Sequence, residues 1–510
     1  MRFKAILIFL LSTTGCGLLS AQVVAKEKFR IPIRSDVEGY QMMANESGTF
    51  LHRSALDQGK TLIDFIFLDQ NLSERQRGIV DIGKDMVVLI SNMKNGKASF
   101  LTKTRSKSQD LNLLSIRSDT STYIIRTFRN GLPIRPYFLE QGETYAIIAG
   151  YLQTRPVALY LDYNTGSARV LPGFFNLEGE VNEVRINPNG SFDILLALKK
   201  GSSEKAIYLQ QYQSDGSLIR TQILKSGSKY NLIFARSMRL SSDSILFAGI
   251  YGNRTEFSRG IFTSTLTTSG SSVLRLYNYG DFKNFFSHLS EKRIRRIESR
   301  IQKLKQSGKS IKLPFRTLIH ELVPSGDGAR MLAEMVAPVY RNGYIGYTRY
   351  ANTGIFQFIK PYYSQQRDFT FDGYRFTHAA VAGIKRDGTL LWDLNMNLKS
   401  FRSFTLKAFT ISHETNSEQV LVVTSGGDRI KAKLTDKNKQ QGDEIFPFEN
   451  ETSQSPKKED RYFLQLIGRA GLPPLCAGIL EEQQGGSEKT TGKFFFIAKL
   501  VPGNPAAANP

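Results

Sequence analysis

Tyr145-Ala-Ile-Ile-Ala-Gly-Tyr151, followed after a short gap by Ala158-Leu-Tyr-Leu-Asp162-Tyr-Asn-Thr-Gly166, sets an apolar run, a second apolar run and a turn in that order. The order returns in Phe192-Asp-Ile-Leu-Leu-Ala-Leu198, Ala206-Ile-Tyr-Leu-Gln-Gln-Tyr212 and Ser214-Asp-Gly-Ser217. Short β-rich runs bounded by Gly, Asn and Asp read as strands joined by hairpins, because those residues accept the positive φ of tight turns. A unit of about 40 to 50 residues cannot bury its own apolar face and must stack on copies of itself, which is the pattern of propellers and related arrays.

Seven segments fit the template, beginning near Met86, Tyr145, Phe192, Ile245, Met331, Val420 and Tyr462. Turn residues precede several of them: Asn187-Pro-Asn-Gly190, Ser241-Ser-Asp-Ser244 and Ser325-Gly-Asp-Gly328. A blade of four antiparallel strands needs two hairpins, so the count predicts an all-β fold, a seven-bladed β-propeller spanning residues 22–501 as a single domain. Eight blades are the alternative, because Thr49-Phe-Leu-His-Arg53 and Lys60-Thr-Leu-Ile-Asp-Phe-Ile-Phe67 also read as strands. In a seven-bladed ring that pair would complete the last blade and close the edge.

Met1-Arg-Phe-Lys4, the apolar Ala5-Ile-Leu-Ile-Phe-Leu-Leu11 and small residues up to Ala21 have the layout of a secretory signal peptide, residues 1–21. Thr14-Gly15-Cys16 offers a second reading, a lipoprotein acylated at Cys16, although Gly17-Leu-Leu19 continues the apolar stretch past the cysteine. Either way the expectation is an exported protein of the periplasm, the outer membrane or the cell exterior. Cleavage at Ala21 leaves Cys476 as the single cysteine, so no internal disulfide supports the fold. No further stretch is apolar enough to predict a membrane helix.

Of the 510 residues, 68 are Lys or Arg and 46 are Asp or Glu, a formal excess of 22 that falls to 20 without Arg2 and Lys4. With an export signal this excess points away from nucleic acid and towards an acidic envelope protein, an acidic glycan or lipid head groups; a solvated basic surface is the bland alternative.

The repeat is interrupted twice. From Phe282 to Lys305 the period becomes helical, with Phe282, Phe286, Leu289, Ile294, Ile297, Ile301 and Leu304 on one stripe. Arg293, Arg296, Arg300 and Lys303 belong to the opposite, basic face of this insertion, residues 281–312. A second insertion, residues 340–377, is rich in tyrosine and arginine. Its candidate contact residues are Tyr344, Tyr347, Arg349, Tyr350, Tyr362, Tyr363, Arg367 and Arg375, with His378 at its end. Residues 502–510 read as a flexible tail.

Around the second insertion, Ala329-Arg-Met-Leu-Ala-Glu334 and Ala379-Ala-Val-Ala-Gly-Ile-Lys-Arg-Asp387-Gly388-Thr-Leu-Leu-Trp392 resemble a blade of exported propeller-like repeat proteins of Bacteroidota. In those a strand ending in Gly-Glu or Ala-Glu precedes a Tyr-rich loop, and a later strand ends in Asp-Gly-x-x-x-Trp. The resemblance implies an exported propeller and carries over no catalytic residue. Independently of it, Asp387-Gly388 reads as a tight turn and Trp392 as a side chain packed between blades.

Catalytic signatures are sparse. His52, His288, His320, His378 and His413 have no ligand-spaced partner, so no metal site is predicted, and no nucleophile elbow or phosphate loop occurs. No cofactor is predicted. A polysaccharide lyase using Tyr347 or His378 as base, with Arg349 and Arg375 to neutralise a uronate, is the enzymatic alternative. The leading expectation is a non-enzymatic exported propeller acting as a binding or scaffold module in a bacterial envelope or at the cell surface. The alternative is a carbohydrate-active protein, lectin or lyase, engaging an acidic glycan.

Overall fold

Each predicted repeat forms an antiparallel sheet, of four strands except at Val420, where three are described, and a second strand such as Tyr145–Leu152 is a continuous apolar run because both of its faces are covered. Tyr145, Ile147 and Ala149 pack against Phe192 and Ile194 of the following unit, while Ala146 and Ile148 pack against Leu113 and Phe128 of the preceding one. Leu195 and Ala197 likewise turn to the next unit, against Leu232 and Phe247. In a computed structural model, the described residues are 23–502, apart from 36–37, 107, 121, 174–177, 201–203, 228–229, 254–256, 268–269, 271, 314, 327, 343–368, 427–428, 438–458, 470 and 484–490.

Eight sheets result, so the ring is an eight-bladed β-propeller. The blades span 41–84, 86–128, 135–170, 178–224, 231–278, 316–403, 410–436 and 459–502. Eight clusters of buried apolar side chains lie one between each pair of successive blades. The core is therefore a ring of interfaces, not a centre, and burying a Leu or Phe there stabilises the fold by about 1.5–3 kcal/mol. First strands of successive blades touch around most of the ring, the sixth blade meeting the seventh through its second strand, and Gln41–Asn45 of the first blade meets Glu459–Arg469 of the last.

Closure differs from the seven-bladed expectation. Thr49–Arg53 and Lys60–Phe67 lie in strands Gly48–Asp57 and Lys60–Leu68 of a blade of their own. The last blade is completed by Val23–Ile33, which runs antiparallel to Thr491–Pro502 from Val23↔Pro502 to Ile33↔Lys493. The first residues after the predicted cleavage site thus cover an edge that would otherwise present open backbone groups.

The Asp-Gly turns join blades. Gly388, at φ +86°, turns the outer hairpin of the sixth blade. Its carbonyl accepts hydrogen bonds from Thr263 Oγ1 (2.6 Å) and Tyr277 Oη (3.0 Å) of the fifth. The Ser214 carbonyl accepts from Tyr160 Oη at 2.8 Å in the same way. Trp392 packs at the interface of the sixth and seventh blades, with Lys437 Nζ 5.6 Å from its ring.

Candidate functional site

The first interruption and the strand ends that flank the second lie at one rim. In an antiparallel meander, the connection from one blade to the next leaves from the same end as the loop between second and third strands. Residues 279–315 make the first kind of connection, between the fifth and sixth blades, and 343–368 the second kind, within the sixth.

The first insertion contains helix α1, Glu291–Gln306, shorter than the helical period suggests. Phe282, Phe286 and Leu289 reach the same apolar cluster from non-helical chain. Tyr279–Asp281 is a single 3-10 turn, capped by Asn278, whose side chain accepts from Gly280 N. Ile297, Ile301 and Leu304 lay the apolar face of α1 on Tyr279, Phe282, Phe285 and Phe286. Gly280 permits this approach, since a Cβ there would stand 3.1 Å from the Ile301 side chain.

The outer strand Leu390–Ser403 of the sixth blade fastens the insertion with three alternating polar residues. Asp393 accepts backbone hydrogen bonds from Lys283 (2.9 Å) and Asn284 (2.7 Å). Asn395 Nδ2 donates to the Phe285 carbonyl at 2.7 Å, and Asn397 Nδ2 to the His288 carbonyl at 3.4 Å. On the opposite face Leu394, Met396 and Leu398 enter the next inter-blade core. Burial pushes the Asp393 carboxyl above the usual range, against the two backbone N–H donors that favour its charged form.

His378 lies beneath the insertion. It is fully buried, edge-on to Phe285 and Phe315, and stacked on His288. Thr377 Oγ1 stands 3.0 Å from its Nδ1, and its Nε2 has no hydrogen-bond partner among the described residues. Burial, and secondarily the His288 ring, hold its pKa well below the ordinary imidazole value. An imidazole sealed in this way reaches no external ligand, so as placed it fits neither a binding contact nor a lyase base. In the same blade the half-buried His320 Nε2 stands 2.7 Å from Oε2 of the buried Glu334, which also accepts from Phe409 N.

The basic face stands out from this frame. Arg293, Arg296, Arg300 and Lys303 are exposed and have no hydrogen-bond or ion-pair partner among the described residues, whereas Arg295 pairs with Glu291 and Lys305 with Asp281. Spacings of three, four and three residues place the four on one side of α1, in a row about 15 Å long at 1.5 Å per residue.

The sixth blade extends beyond its first strand. Arg316 opens that strand opposite Val336, and the second and third strands pair onward to Asn342↔Phe369. Phe376, Phe401 and Phe409 pack at the base of this arm. Phe371 meets Tyr340, Tyr374 and Phe404 towards its tip. Tyr340 is 41% and Phe404 68% exposed. Arg375 is also exposed on the arm. Tyr344, Tyr347, Arg349, Tyr350, Tyr362, Tyr363 and Arg367 lie outside the described residues.

Of the expected contact residues, the structure therefore brings Arg293, Arg296, Arg300, Lys303 and Arg375 to one rim and buries His378 beneath it. Sequence reading passed over Phe404 and the polar ladder Asp393, Asn395 and Asn397. The ladder's signal was alternation of polar with apolar residues just after Trp392. Among the described residues, no three His, Cys, Asp or Glu side chains group as a metal site requires.

No protein-family model and no curated protein matches the chain. Among solved structures it is similar to the quinohemoprotein alcohol dehydrogenase ADHIIG of Pseudomonas putida HK5, at 10% identity over 95% of this chain and 77% of that one, with a TM-score of 0.43. A europium-containing methanol dehydrogenase is similar at 9% identity over 93% of each chain, with a TM-score of 0.43. The polysaccharide lyase Uly1 is similar at 8% identity over 81% of this chain and 90% of that one, with a TM-score of 0.39. At these identities no residue role passes from them to this chain.

Proposed function

We propose that this chain is an exported, non-enzymatic β-propeller that serves as a binding or scaffold module in a bacterial envelope or at the cell surface. Its contact surface is the rim formed by α1 and the arm of the sixth blade. The observation that carries the reading is the row Arg293, Arg296, Arg300 and Lys303: four exposed cations with no ion-pair partner among the described residues, on a helix whose apolar face is packed against the blades. Four like charges side by side repel one another, and an anionic partner relieves that repulsion. The buried ladder under the insertion holds the row in place, which lowers the ordering cost of binding.

Cross-linked pull-down of the tagged chain from the envelope of its host tests the reading, with the double variant Arg296→Glu/Arg300→Glu as comparison. An anionic component, protein or glycan, is expected with the original chain and lost from the variant. Recovery of the same material by both would show that the rim is not the contact surface.

A further inference from the structure

The chemistry of the rim narrows the partner. Taking the rim as a binding surface, we infer that its ligand is a linear acidic polysaccharide, held by the cation row of α1 and by the exposed aromatic side chains of the sixth-blade arm. Three observations point there together.

The apolar face of α1 is spent on docking, with Ile301 9% exposed and Ile297 and Leu304 packed on the same cluster. A helix that lies in a lipid interface must offer that face to the acyl chains. This one offers its cations alone, and anionic lipid is left only a screened surface attraction.

The cations are collinear, and three of the four are arginines. A guanidinium fork pairs in two-point fashion with a planar carboxylate or a sulfate, and a row of forks suits a chain that repeats such groups along its length.

Near the described end of the arm, Tyr340 and Phe404 expose aromatic side chains. Tyr340 and Phe404 flank Phe371, with ring centroids 5.8 and 6.4 Å from it. An aromatic ring offers a flat apolar face to the C–H face of a pyranose, and its edge contacts hold the platform rigid. The sixth blade carries both elements, because Asn397, which donates to the His288 carbonyl of the insertion, lies on the strand that continues to Arg402 and Ser403 of the arm. One extended chain can therefore lie across helix and arm, its acidic groups on the row and a sugar face on the rings.

Binding of the purified chain to polygalacturonate is the test, beside neutral dextran, poly-glutamate and vesicles of anionic phospholipid. Polygalacturonate is expected to bind, more weakly as salt rises, with dextran not retained. Arg296→Glu/Arg300→Glu should weaken binding roughly tenfold or more, from the loss and reversal of exposed ion pairs. Phe404→Ala should weaken polygalacturonate about fivefold and leave poly-glutamate unchanged, since only a sugar stacks. Unchanged thermal midpoints confirm that the variants are folded. Poly-glutamate or vesicles bound as tightly as polygalacturonate, with Phe404→Ala neutral, would overturn the glycan assignment and leave the binding-module reading standing. Failure of every polyanion, together with an envelope pull-down insensitive to Arg296→Glu/Arg300→Glu, would overturn both.

Discussion

His288 and His378 stack with ring centroids 3.9 Å apart and planes 16° from parallel, one ring on the inserted segment and the other on the third strand of the sixth blade. The contact ties the element that carries the basic helix to the sheet that carries the arm. Its chemistry requires neutral rings, because a proton on either would place charge among Phe285, Phe315 and the partner imidazole.

Acid should therefore loosen the protein before it protonates ordinary carboxylates. His378 sits well below its ordinary pKa, and burial lowers His52 and His413 to about 4. Groups with depressed folded pKa values bind more protons when unfolded, so their stabilisation is complete above about 6.5 and is lost as pH falls from there towards about 4. Each contributes a slope of up to about 1.4 kcal/mol per pH unit in that window. Urea unfolding at pH 7.5, 6 and 5 should show the decline, and His378→Leu should remove one proton's share of it. A pH-independent midpoint between 7.5 and 5 would contradict the buried neutral assignments.

The ladder beneath the insertion should control its local stability. Asp393→Ala leaves the Lys283 and Asn284 amides without their acceptor, at about 1–3 kcal/mol each where the amide stays buried. Amide exchange from Lys283 to His288 should accelerate at least tenfold in this variant while the second-strand amides of the third and fourth blades stay protected. Equal acceleration in all blades would mean that Asp393 supports the whole ring, not the insertion.

Blade strands were legible in the sequence because burial on both faces writes continuous apolar runs such as Tyr145–Tyr151, and the turns between them need Gly, Asn or Asp. The phase of the repeat was not. Met86 and Tyr462 lie in first strands of their blades, whereas Tyr145, Phe192, Ile245, Met331 and Val420 lie in second strands. Counting apolar runs therefore left the blade number open between seven and eight. The closing strand was hidden for another reason: Val23–Ile33 follows an apolar leader directly and finds its partner at the far end of the chain. The basic row of α1 was legible from helical period alone. The burial of His378 was not, because its neighbours Phe285, His288 and Phe315 come from a separate insertion.

Glu180 should penalise the fold at alkaline pH. It is 4% exposed, its Oε2 has no hydrogen-bond partner among the described residues, and burial raises its pKa to about 7, with the Lys205 charge opposing. A raised folded pKa means that stability is complete below the ordinary carboxylate value and is lost as pH rises through about 7. A shift of this size corresponds to roughly 3 kcal/mol at pH 8. Glu180→Gln, neutral at every pH, should raise the urea midpoint at pH 8 and change it little at pH 5. An unchanged or lower midpoint at pH 8 would show that the carboxylate is stabilised as an anion.

Removing residues 23–33 tests how the ring is closed. In the intact protein Thr491–Pro502 is paired on one side with Leu472–Gln483 and on the other with Val23–Ile33. Without the N-terminal strand that row of backbone groups is open, and Phe29, Ile31 and Ile33 no longer cover the interface of the last and first blades. An open, apolar edge strand recruits other chains. The truncated protein should therefore unfold at lower urea and associate in a concentration-dependent way. A peptide of residues 23–33 added in excess should restore the monomer, since it re-forms the antiparallel pairing without a covalent link. Association that ignores the peptide would place the exposed surface elsewhere in the ring.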